Sequence, residues 1–202
     1  MKLFYSATSP FVRKCLVSAR ELDLSDRIEL EPAAPHPVNR DPKLSARNPL
    51  GKAPTLLTDE GAVLFDSRVI CEYLDALGGG RLTPAPGPAR WVALTEQALG
   101  DGIMDAAVLV RYEDTARPAA LRWAGWVDGQ LSKVRHGLDE IERRAAGFGD
   151  RVDAGTIALG CALGYLDFRF ASLEWRAGRP AAAAWFGRFG ERESMVATRP
   201  PN

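Results

Sequence analysis

The sequence predicts a small α/β domain built on a mixed β-sheet, followed by an all-α domain. Three observations indicate this fold class. Residues 1–77 alternate short β-prone runs with amphipathic helical patterns, in the order β-α-β, loop, β-β-α. Residues 78–88 contain four glycines and three prolines, a composition typical of a linker. Residues 89–202 carry only helical periodicity, so we expect the boundary between the two domains to fall in this linker.

The first half of the α/β domain is predicted as strand, helix, strand and a long loop. Residues 3–5 are β-prone and stop at a hydroxyl-rich turn before Pro10. Residues 11–22 repeat apolar positions at three- and four-residue spacing, as an amphipathic helix requires. Residues 28–31 alternate in the manner of a strand. Residues 32–48 contain four prolines and predict a long loop, which often borders a functional site.

The second half of this domain is predicted as a hairpin and a helix. Residues 55–58 and 62–65 flank a turn-prone Asp-Glu-Gly segment, which favours two antiparallel strands. A helix begins at Ser67 and ends at the glycine run 78–80. Because a β-α-β crossover joins parallel strands and a hairpin joins antiparallel ones, the sheet should be mixed. Further helices are predicted over residues 89–116, 118–146, 156–171 and 181–189.

Composition and charge narrow the classes of function. Lys and Arg total 26 and Asp and Glu total 26, so no net positive field attracts nucleic acid or an anionic membrane. Apolar residues make up 46% and charged residues 26%, the usual balance of a globular protein. The sequence shows no signal-peptide pattern and no apolar run of the roughly 18 residues that a membrane span needs. We therefore expect a cytoplasmic protein with no nucleic-acid and no membrane partner.

The cysteines and histidines do not predict a metal site. Cys15, Cys71 and Cys161 are widely spaced and odd in number, which favours core thiols over a disulfide framework or a metal cluster. His36 and His136 are too isolated to suggest a metal site or a catalytic pair. The sequence therefore predicts a protein of a reducing compartment that uses no metal.

A proline directly before a strand marks the first candidate site. Pro54 cannot donate to a sheet ladder, which implies an edge position or an unusual peptide geometry. A cis Ala53–Pro54 bond would let the backbone of Ala53 turn outward and pair with an extended, peptide-like ligand. An ordinary trans proline at a strand start is the alternative, and the frequencies of X–Pro bonds favour it. Lys52 could neutralise a ligand carboxylate nearby, or simply be solvated.

Two helix starts provide further candidates. Asp66 or Ser67 can cap the helix that follows, which is the simpler interpretation. Together they can also hold an α-amino acid group, with its carboxylate at the helix N-terminus and its ammonium at Asp66. Ser9, before Pro10, can likewise be a plain N-cap, or it can donate to a ligand thiolate held at the helix N-terminus. Tyr5 is a rival thiolate donor.

Three segments, taken in chain order, resemble the signatures of the glutathione transferase family. They are Ser-Pro-Phe-Val-Arg-Lys at residues 9–14, Asn-Pro-Leu-Gly-Lys-Ala-Pro-Thr-Leu at 48–56 and Asp-Ser-Arg-Val-Ile-Cys-Glu-Tyr-Leu at 66–74. The resemblance covers the whole first domain, and a helical second domain also suits this family. It implies a thioredoxin-like N-terminal domain over residues 1–77, an α-helical C-terminal domain over residues 89–202, and a homodimer with one glutathione site per subunit.

The resemblance also implies roles for single residues. Ser9 resembles the catalytic serine that hydrogen-bonds the glutathione sulfur. Ala53 resembles the residue whose backbone pairs with the cysteinyl part of glutathione, and Pro54 resembles the cis-proline that presents it. Asp66 and Ser67 resemble the acidic-Ser pair that binds the γ-glutamyl end of glutathione. Lys52 resembles the basic residue that approaches a glutathione carboxylate.

The resemblance implies a detoxifying enzyme that stabilises the glutathione thiolate and conjugates it to an apolar electrophile. We expect the electrophile pocket between the domains, with Phe11 and Tyr112 among its walls. A glutathione-dependent peroxidase or reductase would use the same site. A non-catalytic glutathione-binding or regulatory protein is the alternative from another class.

Two departures from the family pattern stand out. Ser9 and Val12 occupy positions where glutaredoxin-like relatives have cysteines, so dithiol exchange at this place is excluded. In the helical domain the family usually shows Ser/Thr-x-x-Asp as a capping box, whereas here Thr156 is followed by Leu159 three positions later. We therefore expect half of the reciprocal box to be lost, at a cost of about 1 kcal/mol.

Overall fold

The computed structural model describes residues 1–201 and divides the chain into two compact units. The first unit comprises Met1–Arg90 together with the segment that starts at Glu193, and the second comprises Trp91–Arg192. The strands are β1 (Lys2–Tyr5), β2 (Glu29–Pro32), β3 (Thr55–Leu57) and β4 (Val63–Leu64). The α-helices are α1 (Pro10–Glu21), α2 (Pro42–Ser45), α3 (Ser67–Leu77), α4 (Pro88–Thr115), α5 (Ala124–Arg144), α6 (Ala154–Arg169), α7 (Pro180–Phe189) and α8 (Glu193–Val196).

The sheet of the first unit is mixed, which confirms the predicted fold class. Its strand order is β2-β1-β3-β4, with β1 parallel to β2 and antiparallel to β3, and with β3 antiparallel to β4. Helix α1 packs against α3. The side chains sealed in this unit include Leu3, Val17, Leu44, Leu56, Ile70 and Leu74. Ile70 and Leu74 belong to the apolar pattern from which α3 was predicted, whereas Leu44 lies in α2, within a stretch that was predicted as a loop.

The compact units differ from the predicted domains at both boundaries. The stretch 78–88, predicted as a linker, lies entirely within the first unit. The buried carboxylate of Asp75 holds it there by accepting hydrogen bonds from the backbone N–H groups of Leu82 and Thr83, both at 2.8 Å. Leu82 is itself buried. The first unit therefore extends past residue 77 to Arg90.

The C-terminal segment, predicted within the helical domain 89–202, packs with the first unit instead. Short helix α8 lies against α1. The guanidinium of Arg13 donates to the carbonyl of Met195 at 2.9 Å, and Arg20 pairs with Glu193 at 2.9 Å. Sequence periodicity could not reveal this placement, because a helix of four residues has no repeat to detect.

The second unit is all-α, and its helix α6 is buried over most of its length. Residues 154–166 of this helix are all buried. Gly100 of α4 faces it so closely that a Cβ there would lie 2.6 Å from the backbone carbon of Ala158. The predicted helical stretches correspond to α4, α5, α6 and α7, with shifted ends.

The expected loss of the capping box is wrong. The N-cap of α6 is Asp153, whose Oδ1 accepts hydrogen bonds from the N–H groups of Gly155 and Thr156 at 2.9 and 3.0 Å. The Thr156 hydroxyl in turn accepts from the Asp153 N–H at 3.0 Å. Both halves of the box are therefore present, with the acidic residue at the N-cap and the hydroxyl residue three positions later, the reverse of the family order.

Over residues 1–201, no helix is both long and apolar enough to cross a lipid bilayer.

Candidate functional site

Sheet topology brings most of the predicted site residues to one end of the sheet. Because β3 runs antiparallel to both of its neighbours, the start of β3 lies beside the ends of β1 and β4. Thr55 at this start pairs with Phe4 near the end of β1. Helices α1 and α3 both begin just beyond this end of the sheet. The residues that meet there are Ser9, Lys52, Ala53, Pro54, Asp66 and Ser67.

Ser9 is the N-cap of α1, and its hydroxyl retains a donor. Its Oγ accepts a hydrogen bond from the Val12 N–H at 3.3 Å, and Pro10 occupies the first turn. A hydroxyl has one proton besides its acceptor lone pairs, so the capping bond leaves this proton available. Ser9 is half-buried at the positive end of the helix dipole. The side chain can therefore cap the helix and donate to an anion at the same time.

Three other polar side chains lie on or near α1, namely Tyr5, Arg13 and Lys14. Tyr5, the rival donor, is half-buried and stands opposite Pro32 of β2. Arg13 is committed to the C-terminal segment through Met195. Lys14, the next cation on α1, is buried with 1% of its surface exposed. Of Ser9 and Tyr5, only Ser9 stands at a helix N-terminus, where the helix dipole favours an anion.

The Ala53–Pro54 bond is cis, as the family resemblance implied, and is not the trans bond that the frequencies of X–Pro bonds favoured. Ala53 is half-buried, and within residues 1–201 neither its backbone N–H nor its carbonyl makes a hydrogen bond. Because strands bind extended peptides through such backbone groups, Ala53 can pair with a peptide-like ligand. Lys52 is exposed, and its ammonium group forms no ion pair with any residue of the described chain.

Asn48 is a positioning residue that sequence reasoning missed. It is fully buried, and its Nδ2 donates to the carbonyl of Lys52 at 3.1 Å and to the hydroxyl of Thr55 at 2.9 Å. Its Oδ1 accepts from the N–H of Leu50 at 2.9 Å. These bonds fix the loop that presents Ala53. The Asn-Pro-Leu-Gly turn signal is the pattern that could have identified it.

The start of α3 combines a carboxylate with an unused hydroxyl. Asp66 is the exposed N-cap and accepts from the Arg68 N–H at 2.9 Å through Oδ1 alone. Ser67 is buried, with 2% of its surface exposed, and its hydroxyl has no hydrogen-bond partner within residues 1–201. The carbonyl of Ser67 accepts from the Cys15 thiol at 3.8 Å, which places this end of α3 against α1. The pair can therefore attract an ammonium and hydrogen-bond a carboxylate.

Phe11 and Tyr112, the predicted pocket walls, lie on α1 of the first unit and on α4 of the second. Both side chains are half-buried. Burial raises the pKa of Tyr112, so its hydroxyl stays neutral at physiological pH. Their role as walls stays a prediction.

Residues 1–201 place no three His, Cys, Asp or Glu side chains where they could share a metal ion.

Comparison with known proteins identifies a family at both ends of the chain. Residues 8–77 match the family described as glutathione S-transferase, N-terminal domain, and residues 124–188 match its C-terminal domain. The chain is 37% identical to the uncharacterized GST-like protein YibF of Escherichia coli K12, over 100% of this chain and 99% of that protein.

Solved structures extend the similarity to the whole fold. A glutathione transferase family member from Pseudomonas fluorescens Pf-5, with bound glutathione, is 47% identical with a TM-score of 0.97, over 100% of this chain and 99% of that one. A structure from the same source with bound S-(propanoic acid)-glutathione is 46% identical with a TM-score of 0.92, over 100% of both chains.

Proposed function

The chain belongs to the glutathione S-transferase family, and we propose that it is a glutathione transferase that binds reduced glutathione in its first unit and conjugates the thiolate to an electrophilic small molecule. The observation that carries this proposal is the convergence of Ser9, Ala53 and the Asp66-Ser67 pair at one end of the sheet. Two similar structures with bound glutathione or a glutathione thioether support it.

The unused hydrogen-bonding groups of this site match the polar groups of a γ-glutamyl peptide. The ammonium of the γ-glutamyl end suits Asp66, and its carboxylate suits the Ser67 hydroxyl and the start of α3. The cysteinyl backbone suits the unpaired N–H and carbonyl of Ala53, which Pro54 holds at the start of β3. Lys52 is an exposed cation for a ligand carboxylate.

Ser9 supplies the chemistry in this proposal. A thiol with a pKa of about 8.5 is only a few per cent ionised at pH 7. A hydroxyl that donates to sulfur, together with the positive end of α1, stabilises the thiolate over the thiol. A shift of about two units makes the thiolate the major form at neutral pH.

The proposed reaction is attack of the glutathione thiolate on an electrophilic carbon. The sulfur electron pair forms the new C–S bond, and the carbon releases a leaving group or, in an addition, passes an electron pair to a neighbouring atom that then takes up a proton. The thioether bound in the Pseudomonas relative is a product type of such a step. We further propose that the electrophile is apolar and that the protein is a cytoplasmic homodimer with a role in detoxification.

Turnover with an activated chloronitrobenzene and reduced glutathione tests the role of Ser9. Ser9→Ala should lower kcat/KM at neutral pH by about tenfold or more, since a hydrogen bond to a charged group is worth about 1.5–3 kcal/mol. Ser9→Thr keeps both the cap and the donor and should retain most of the activity.

Two outcomes would contradict the proposal. Equal turnover of Ser9→Ala and the natural chain across pH would remove Ser9 from the mechanism. Glutathione binding without turnover of chloronitrobenzene, an epoxide or an unsaturated acid would favour the non-catalytic alternative, and reduction of a hydroperoxide alone would favour a peroxidase.

A further inference from the structure

A pair of thiols lies between α1 and α3, directly behind the proposed glutathione site. The Sγ atoms of Cys15 and Cys71 are 3.9 Å apart, with the Cys71 thiol directed at the Cys15 sulfur. Both side chains are buried, Cys15 completely and Cys71 with 5% of its surface exposed. These residues are far apart in the sequence, and nothing in their spacing marked them as a pair.

The two sulfur atoms stand in a chain of polar contacts that gives them different roles. The Ser18 hydroxyl donates to Cys71 Sγ at 3.5 Å, a contact that stabilises negative charge on that sulfur when a thiolate forms. The Cys15 thiol donates to the Ser67 carbonyl at 3.8 Å. Cys71 is thus the more accessible thiol and the one that receives a hydroxyl donor, whereas Cys15 lies deeper.

We propose that Cys15 and Cys71 form an oxidative modification site, in which a small peroxide converts the two thiols into an intramolecular disulfide that links α1 to α3. The Sγ atoms must approach by about 2 Å to reach a disulfide bond length. Helices α1 and α3 are already in contact, so this approach requires a local adjustment and not a change of fold.

The oxidation balances in two steps. The Cys71 sulfur attacks one peroxide oxygen, the O–O bond breaks, and the products are a sulfenic acid on Cys71 and one water molecule. The Cys15 sulfur then attacks the Cys71 sulfur, the S–O bond breaks, and a second water molecule leaves with the remaining proton. Hydrogen peroxide accepts the two electrons that the two thiols lose.

Disulfide formation would remove a hydrogen bond that holds the start of α3, where the proposed glutathione site lies. The bond consumes the Cys15 proton that now points at the Ser67 carbonyl. Ser67 is the first residue of α3 and carries the unused hydroxyl of the site. Oxidation of the two thiols would therefore act on the first residue of α3, which belongs to the proposed site.

Hydrogen peroxide treatment of the full-length, reduced chain tests the proposal. We expect the intact mass to fall by two hydrogen atoms, reversibly with a dithiol, and peptide mapping to recover a peptide that joins Cys15 to Cys71. Cys161→Ser should leave this result unchanged, because Cys161 is buried in α6 of the second unit. Cys15→Ser and Cys71→Ser should each abolish the linked peptide.

A second test traps the sulfenic acid on Cys71, and it can decide the question even if one of the serine variants folds poorly. In Cys15→Ala the sulfenic acid on Cys71 has no resolving thiol, so a cyclic diketone probe should label Cys71. Failure of the natural chain to lose two hydrogens, or sulfinic acid on Cys71 without a linked peptide, would overturn the proposal. A probe adduct on Cys15 in Cys71→Ala, with none on Cys71 in Cys15→Ala, would overturn the assigned order of attack.

Discussion

Ser67 is buried, yet its hydroxyl has no hydrogen-bond partner within residues 1–201. If this hydroxyl binds the γ-glutamyl carboxylate, Ser67→Ala should weaken glutathione binding by about tenfold or more, since a hydrogen bond to a charged group is worth about 1.5–3 kcal/mol. Because the substitution breaks no hydrogen bond within the chain, the free energy of unfolding should change by no more than about 0.5 kcal/mol. Calorimetric titration and urea unfolding of the same variant measure the two quantities.

An exposed serine supplies the matched control for this variant. Ser172 lies on the surface of the second unit, and Ser172→Ala should alter neither quantity. A large loss of stability in Ser67→Ala with unchanged glutathione affinity would show that the hydroxyl serves the fold and not a ligand.

Residue-level prediction succeeded where the signal is local. Ser9 and Asp66 were identified because an N-cap is set by one residue and the turn that follows it, and both are N-caps. Asn48 was missed because its partners, the Lys52 carbonyl and the Thr55 hydroxyl, are brought to it by the folded loop. The proximity of Cys15 and Cys71 likewise depends on tertiary packing.

At the scale of the element, the contact between α4 and α6 depends on one glycine. A Cβ on Gly100 would lie 2.6 Å from the Ala158 carbon and 2.9 Å from the Leu159 nitrogen, both backbone atoms that cannot rotate away. Gly100→Ala should therefore destabilise the protein by roughly 1–3 kcal/mol, although alanine has the higher helix propensity.

Gly102, two residues further along α4, provides the control. It is exposed, and a Cβ there would meet no atom within 4 Å. Gly102→Ala should leave the free energy of unfolding unchanged or raise it by up to about 1 kcal/mol. If urea unfolding gives the same result for both alanine variants, the close approach of the two helices is refuted.

Element-level prediction failed at the start of α6 for a physical reason. The capping box was expected to begin at Thr156. Instead the Asp153 carboxylate caps the helix, and the Thr156 hydroxyl accepts a hydrogen bond from the Asp153 N–H. Either residue can accept a backbone N–H, so the two types can exchange places without loss of a bond. The residue type at position 156 alone therefore could not show that the N-cap is Asp153.

At the scale of the whole molecule, stability should depend on pH in the acid range through Glu140. Hydrogen bonds from the guanidinium groups of Arg143 and Arg144 lower the pKa of Glu140 to about 2. A carboxyl with a lower pKa in the folded state stabilises that state above its unfolded pKa of about 4.3. This contribution is lost as pH falls toward about 2.

The variant Glu140→Gln isolates this effect. Its free energy of unfolding should lie below that of the natural chain at pH 6, and the difference should shrink between about pH 4.5 and pH 2. Asp128→Asn is the control, because Asp128 is exposed on the same helix and forms no ion pair among residues 1–201. Its free energy of unfolding should change with pH in the same way as that of the natural chain. A difference at Glu140 that stays constant with pH would contradict this account.

The domain order and the mixed sheet were predictable because periodicity and turn residues are local properties. The unit boundaries were not, because the Asp75 carboxylate holds residues 82–83 and Arg13 holds residue 195 through bonds that no pattern encodes. The convergence of the site at one end of the sheet also needed the strand order β2-β1-β3-β4, which is set by tertiary pairing and which no local pattern gave.

The most direct test of the glutathione site is a calorimetric titration of the natural chain and Asp66→Asn with reduced glutathione at neutral pH. Asparagine caps a helix as well as aspartate does, so this variant removes the charge and keeps α3 intact. We expect one-site binding by the natural chain and an affinity about tenfold or more weaker in Asp66→Asn. Equal affinities of the two proteins, or no heat at millimolar glutathione, would contradict the site.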